Sequence, residues 1–144
     1  MDEVLRGGAR PPIHLLASES DMVGNLALQA EHRNPVVAAM LFDEIERAEI
    51  HEPDTLPPGV IVLGSEVDFL DEKTHRLTTV RLVMPAAANI ALGQISILTP
   101  MGVGLYGLSA GQSIDWPDRN GRERRIRIIG VRPPGAPQRT GRVA

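Results

Sequence analysis

The sequence predicts an α+β protein: a short N-terminal antiparallel helical hairpin, then an antiparallel β-sheet domain with one short helix. Three observations predict it. Apolar residues recur every three to four positions up to about residue 48, then every second position from Val60 onward. A Pro-rich stretch from Glu52 to Gly59 separates the two regimes. The 144 residues suffice for one ordinary domain, or one small domain with an appendage.

Residues 1–12 contain Gly7-Gly8 and Pro11-Pro12 and are expected to be disordered. Ser18 or Ser20 is placed to cap the first helix, with Asp21 near the positive end of its dipole. Met22, Leu26 and Ala30 would form its inward face. His32-Arg33-Asn34-Pro35 ends that helix, because the residue before a proline disfavours the helical region, while Pro35 suits the first position of the next. The second helix would turn Val37, Leu41, Ile45 and Ala48 inward and Asp43, Glu44, Glu46 and Arg47 outward. The hairpin thus occupies residues 13–52, and arms of about 15 residues reach only ~22 Å. Residues 53–59 read as a rigid linker.

Residues 60–132 read as the sheet domain. Val60-Ile61-Val62-Leu63 is expected to be a strand, followed by Glu66 to Leu70, in which Val67 and Phe69 alternate with acids. After a polar turn from Asp71 to His75, Thr78 to Met84 places Val80, Leu82 and Met84 on one face. Pro85 to Asn89 is a loop, and Ile95 to Leu98 and Ile114 to Trp116 are short strands. Glu123 to Val131 alternates Ile126 and Ile128 with Arg125 and Arg127, a half-buried antiparallel pattern. Residues 133–144 form a basic Pro-Gly tail expected to be disordered.

Composition excludes several classes. With no cysteine there is no disulfide, thiolate metal site or cysteine nucleophile. No apolar run approaches the ~20 residues of a membrane span, and no signal-peptide pattern opens the chain, so a soluble cytoplasmic protein is expected. Four aromatics (Phe42, Phe69, Tyr106, Trp116) are too few for a base-stacking platform, and direct sequence-specific nucleic-acid binding is not expected. His14, His32, His51 and His75 show no i, i+4 spacing, so neither a metal nor any other cofactor is expected. No serine motif supports nucleophilic catalysis, and the chain reads as a non-enzyme.

The net charge of −3 hides an asymmetry: residues 1–72 carry 15 acidic and 4 basic side chains, residues 73–144 carry 3 and 11. It fits a solvated strand face with a basic tail, and equally a dipolar molecule steered toward a charged partner.

Gly102-Val103-Gly104-Leu105-Tyr106-Gly107 spells G-x-G-x-x-G, the dinucleotide fingerprint. That fingerprint needs a crossover helix and a second parallel strand; Leu108 to Ser113 is a poor helix, and no βαβ unit fits before residue 144. The better fit is a strand, a short helix with Pro100 at its first position, a glycine turn, a strand and a hairpin at Asn120-Gly121. This order, and the wording from Ile95 to Trp116, closely resemble the C-terminal domain of the Gre transcript-cleavage factors. Within that superfamily the chain is most similar to the Rnk group, the regulators of nucleoside diphosphate kinase, over about residues 18–131.

The resemblance implies an FKBP-like sheet domain and RNA polymerase as partner. In the Gre factors a longer coiled coil enters the polymerase's secondary channel, and paired carboxylates at its tip help to hold a catalytic Mg²⁺. Here the turn offers Glu31 alone, followed by His32, Arg33 and Asn34, which argues against cleavage. The docking residues implied are Thr99 and Pro100, with Met101 adjoining, and the tip residues Glu31 to Asn34 are the second contact. Met101 fits the core as well as it fits a docking surface. Action on nucleoside diphosphate kinase is the alternative, although no phosphate-binding loop is present. A prolyl isomerase or chaperone-like domain is the third.

Overall fold

A computed structural model of the chain describes residues 11–117 and 123–135. Among the described residues the first element is β1 (His14–Leu16), which runs directly into α1 (Ala17–Ala30). A four-residue turn from Glu31 to Asn34 leads to α2 (Pro35–Arg47), which packs against α1, and β2 (Glu49–His51) follows. β1 and β2 pair in parallel, His14 opposite Glu49 and Leu16 opposite His51, so a two-stranded sheet joins the two ends of the helical pair.

Neither helix uses quite the face its sequence predicts. On α1, Val23 and Ala27 are buried, whereas Met22 is 44% exposed. The stripe is set by Glu19, four residues before Val23, whose carboxylate reaches across to Leu63 and Tyr106. No serine caps α1; Leu16 precedes it in extended conformation, and the Ser20 hydroxyl donates to the Ala17 carbonyl instead. On α2, Val37 and Leu41 are buried as expected, with Ala38. Glu44, expected outside, is buried because Arg47, one turn on, donates to it from Nε at 3.0 Å. Arg47 also donates to the Pro11 carbonyl at 2.7 Å.

The main sheet contains β3 (Glu66–Asp71), β4 (Arg76–Val83), β5 (Gln94–Ser96), β6 (Ser113–Pro117) and β7 (Glu123–Arg132), in the order β5-β4-β3-β7-β6. It is mixed rather than antiparallel, because β5 lies parallel to β4. Pro85 ends the β4 ladder, and two 3-10 turns (Pro85–Ala87 and Ile90–Leu92) carry the chain back so that Gln94 starts beside Arg81. Val60 to Leu63 is not a strand. Gly59 and Gly64, both at positive φ, bound it tightly, and it forms a buried connection through Ile61 to Leu108 and Gly107.

One irregularity reorders the centre of the sheet. Asp68 pairs with Gly130 but Phe69 with Ile128, so Ile129 is an extra residue on β7. Before the bulge Ile126 and Ile128 face the core; beyond it the phase flips, and Arg132 lands beside the acids of β3. The core is closed by Ile13, Leu15, Val23, Leu41, Val67, Phe69, Leu82, Val103, Tyr106, Ile126 and Ile128, so the helical pair and the sheet share one apolar cluster. No helix among the described residues is long and apolar enough to cross a membrane.

The turn at Asn120-Gly121 and most of the two expected disordered termini lie outside the described residues. Of the termini, the Pro12 carbonyl accepts from Gln112, and Pro134 lies against Gly64.

Candidate docking site

The residues Thr99, Pro100 and Met101 sit where β5 gives way to α3 (Pro100–Leu105). Thr99 is the N-cap in extended conformation; its hydroxyl oxygen accepts from the Gly102 amide at 3.0 Å and donates to the Ser96 carbonyl at 2.8 Å. Ser96 Oγ in turn accepts from the Leu98 amide at 2.9 Å. These bonds fix the loop, and they hold Pro100 exposed at the first helical position. Met101 is half-buried and packs on the core, so its side chain supports the loop from beneath.

The glycine motif has a packing role here. A Cβ on Gly102 would overlap the Ser96 carbonyl oxygen and come within 3.0 Å of Ile97 Cα. Gly107 turns at φ +85°, and its Cβ would lie 2.9 Å from Ile13 Cβ. The first glycine lets α3 lie against β5, and the last lets the chain turn against β1, where the Gly107 carbonyl accepts from the His14 amide.

Glu31, His32, Arg33 and Asn34 are all exposed in the turn between α1 and α2. They belong to a different element from the Pro100 loop, and the two groups are linked through α2, which packs on α3.

Sequence reasoning missed the ionic centre. Glu66 and Asp68, expected to alternate outward, are 1% and 6% exposed. Arg132 binds Asp68 with both terminal nitrogens at 2.9 Å and Glu66 through Nε at 2.6 Å. The Thr79 hydroxyl donates to Asp68 at 2.6 Å. Hydrogen bonding to Asp68 holds the Arg132 guanidinium in its charged form despite the burial that opposes it. At the far end of β3, Asp71 accepts from the Lys73 and Thr74 amides and from Arg124. Burial raises its pKa, yet those bonds outweigh it and hold the carboxyl below the ordinary aspartate value. Arg125 and Arg127 pair with Glu72. Antiparallel pairing of β3 with β7 therefore sets Glu66, Asp68, Asp71 and the adjoining Glu72 against Arg124, Arg125, Arg127 and Arg132. The signal was present: three acids in six residues facing an arginine-rich strand.

His14 and His51, far apart in sequence, meet at 2.9 Å across the β1–β2 pair.

The transcription elongation factor GreA/GreB C-terminal family matches residues 56–133, which contain the whole of the main sheet, the Pro100 loop and the ionic centre. This chain belongs to the GreA/GreB family. The regulator of nucleoside diphosphate kinase of Escherichia coli (strain K12) is 29% identical over 108 residues, 75% of this chain and 79% of that protein. A transcription elongation factor GreA of Azorhizobium caulinodans is 30% identical over 131 residues, 85% of this chain and 83% of that protein. Among solved structures, a prokaryotic GreA/GreB elongation factor from Nitrosomonas europaea superposes with a TM-score of 0.69 at 31% identity, over 85% of this chain and 99% of that one. The α+β fold with its mixed sheet is thus shared with GreA/GreB proteins, and the relatives are transcription factors and regulators.

Proposed function

We propose that this GreA/GreB family member is a non-catalytic transcription regulator that binds RNA polymerase near the secondary channel and competes with Gre-type factors without stimulating RNA cleavage. In this reading α1 and α2 are the short antiparallel hairpin, and residues 60–132 are the FKBP-like docking domain. The observation that carries it is the turn between the helices. A domain of the GreA/GreB C-terminal family is joined to a turn with one carboxylate, Glu31, exposed beside His32 and Arg33. A Mg²⁺ ion bound in a shared site wants several hard oxygen ligands, and a neighbouring guanidinium opposes it. Helices of 14 and 13 residues also reach only ~20 Å, short for delivering a tip to a distant centre. The Pro100 loop would make the main contact: it is exposed, fixed by Thr99 and Ser96, and loses little entropy on binding.

The name of the Escherichia coli relative favours a second reading, regulation of nucleoside diphosphate kinase. Immobilised protein challenged with purified core RNA polymerase and with the kinase separates the two. The proposal expects the polymerase to be retained and then displaced by a Gre factor. Retention of the kinase with no retention of polymerase contradicts it.

A further inference from the structure

We propose that His14, His51 and Glu49 form a binding site for a zinc-class transition-metal ion that clips β1 to β2 at the base of the helical pair. Strand geometry brings the three together. Alternate residues of a strand share a face, so Glu49 and His51 project on one side of β2, and His14 is the cross-strand partner of Glu49. An i, i+2 pair on a strand plus one residue on its neighbour is the sheet equivalent of helical i, i+4 spacing.

The distances suit a tetrahedral ion. His14 Nδ1 lies 2.9 Å from His51 Nε2 and 3.5 Å from Glu49 Oε1, and His51 Nε2 lies 3.8 Å from Glu49 Oε2. Ligand bonds of ~2.0–2.1 Å in a tetrahedron place donor atoms about 3.3 Å apart, inside this range. The His14 and His51 side chains are only 19% and 10% exposed, while Glu49 is 68% exposed. The nitrogens therefore sit in a sheltered corner with the carboxylate on the solvent side, which leaves a fourth position for water.

Hydrogen bonding prepares His51 as a ligand. The Thr55 hydroxyl donates to the Glu52 carbonyl at 3.2 Å, so toward His51 Nδ1, also at 3.2 Å, it acts as acceptor. Nδ1 then carries the ring proton, and the Nε2 lone pair points at His14. This is the outer-shell contact that orients histidine ligands. In the metal-free protein His14 Nδ1–H donates to that lone pair; on binding, the neutral His14 ring changes tautomer, its proton passing through solvent from Nδ1 to Nε2, and the ion takes the vacated place between the two nitrogens. Two imidazoles and one carboxylate favour Zn²⁺ over the hard cations Mg²⁺ and Ca²⁺. Because β1 enters α1 and β2 leaves α2, the ion would fasten both ends of the pair.

The test is titration of the tag-free full chain with Co²⁺, read by visible absorption, and its displacement by Zn²⁺. The proposal expects one saturable tetrahedral cobalt site per chain, displaced by one equivalent of Zn²⁺. It expects loss of that site in His14→Ala and His51→Ala, about tenfold weakening in Thr55→Ala, and no change in His32→Ala or His75→Ala. Absence of saturable binding, or equal binding in the double variant His14→Ala/His51→Ala, overturns it. Glu49→Gln is at an exposed position and keeps the test decisive if a histidine variant fails to fold: unaltered affinity there overturns the site as well.

Discussion

The Tyr106 hydroxyl donates to Glu19 Oε1 at 3.2 Å, joining α1 to the turn after α3 across 87 positions of sequence. The same oxygen accepts from the Leu63 amide at 3.1 Å. One carboxylate thus ties the helical pair to the sheet domain at two points. Burial pushes Glu19 above the ordinary glutamate value of 4.5, against the opposing pull of the Leu63 amide and the Tyr106 hydroxyl. Burial, then the charge of Glu19, pushes the Tyr106 hydroxyl well above the usual tyrosine range.

This gives stability a pH dependence of defined sign. Folded Glu19 holds its proton more tightly than the unfolded chain does, so its contribution is greatest at low pH. It is lost as pH rises above the ordinary value and is level again beyond the raised one. In Glu19→Gln that slope should vanish, with stability at pH 7 equal to or above the parent. Urea unfolding of both proteins at several pH values between 4 and 8 checks it; an unchanged slope contradicts it.

Arg132→Leu should lower stability by about 3–5 kcal/mol, because it removes the guanidinium that is bidentate to buried Asp68 and bonds buried Glu66 through Nε. Arg132→Lys should recover only part of the loss, since an ammonium lacks the planar fork. Chemical denaturation measures both, and full rescue by lysine would show that charge alone suffices.

Two glycines in helices should respond oppositely to alanine. Gly102→Ala forces α3 off β5 and should cost about 1–3 kcal/mol. Gly24→Ala, in α1 with nothing within 4 Å of the added methyl, should stabilise by about 0.5–1 kcal/mol. Thermal midpoints of the two variants decide; a shift of the same sign in both contradicts the packing role of Gly102.

Pro100→Ala should weaken binding to RNA polymerase more than a double change at His32 and Arg33. The loop is held rigid by Thr99 and Ser96, whereas the turn offers side chains fixed by little around them. Competition against a Gre factor measures the two affinities. If the turn variant loses affinity and the Pro100 variant does not, the docking surface lies on the helices.

What the sequence revealed follows the range of the interactions. The inward residues Val80, Leu82, Ile126 and Ile128, and Pro100 at the start of α3, are local patterns, and the structure has them. The parallel β5 was hidden because strand direction depends on the length and shape of the connection after Pro85, which alternation does not encode. Glu44 and the acids of β3 were misplaced because charge argues for exposure until a specific arginine is known to meet it, and Arg132 reaches Asp68 only through the bulge at Ile129. His14 and His51 are 37 positions apart, and only the β1–β2 pairing makes them neighbours.

The central claim is tested most directly on backtracked RNA polymerase complexes, with RNA cleavage followed over time. Added alone, the protein should leave the intrinsic cleavage rate unchanged. Added in increasing amounts with a fixed concentration of a Gre factor, it should suppress the stimulated cleavage to that intrinsic rate. Stimulation of cleavage by the protein alone, at rates comparable to a Gre factor, would contradict the account, as would Gre-stimulated cleavage that no excess of the protein reduces.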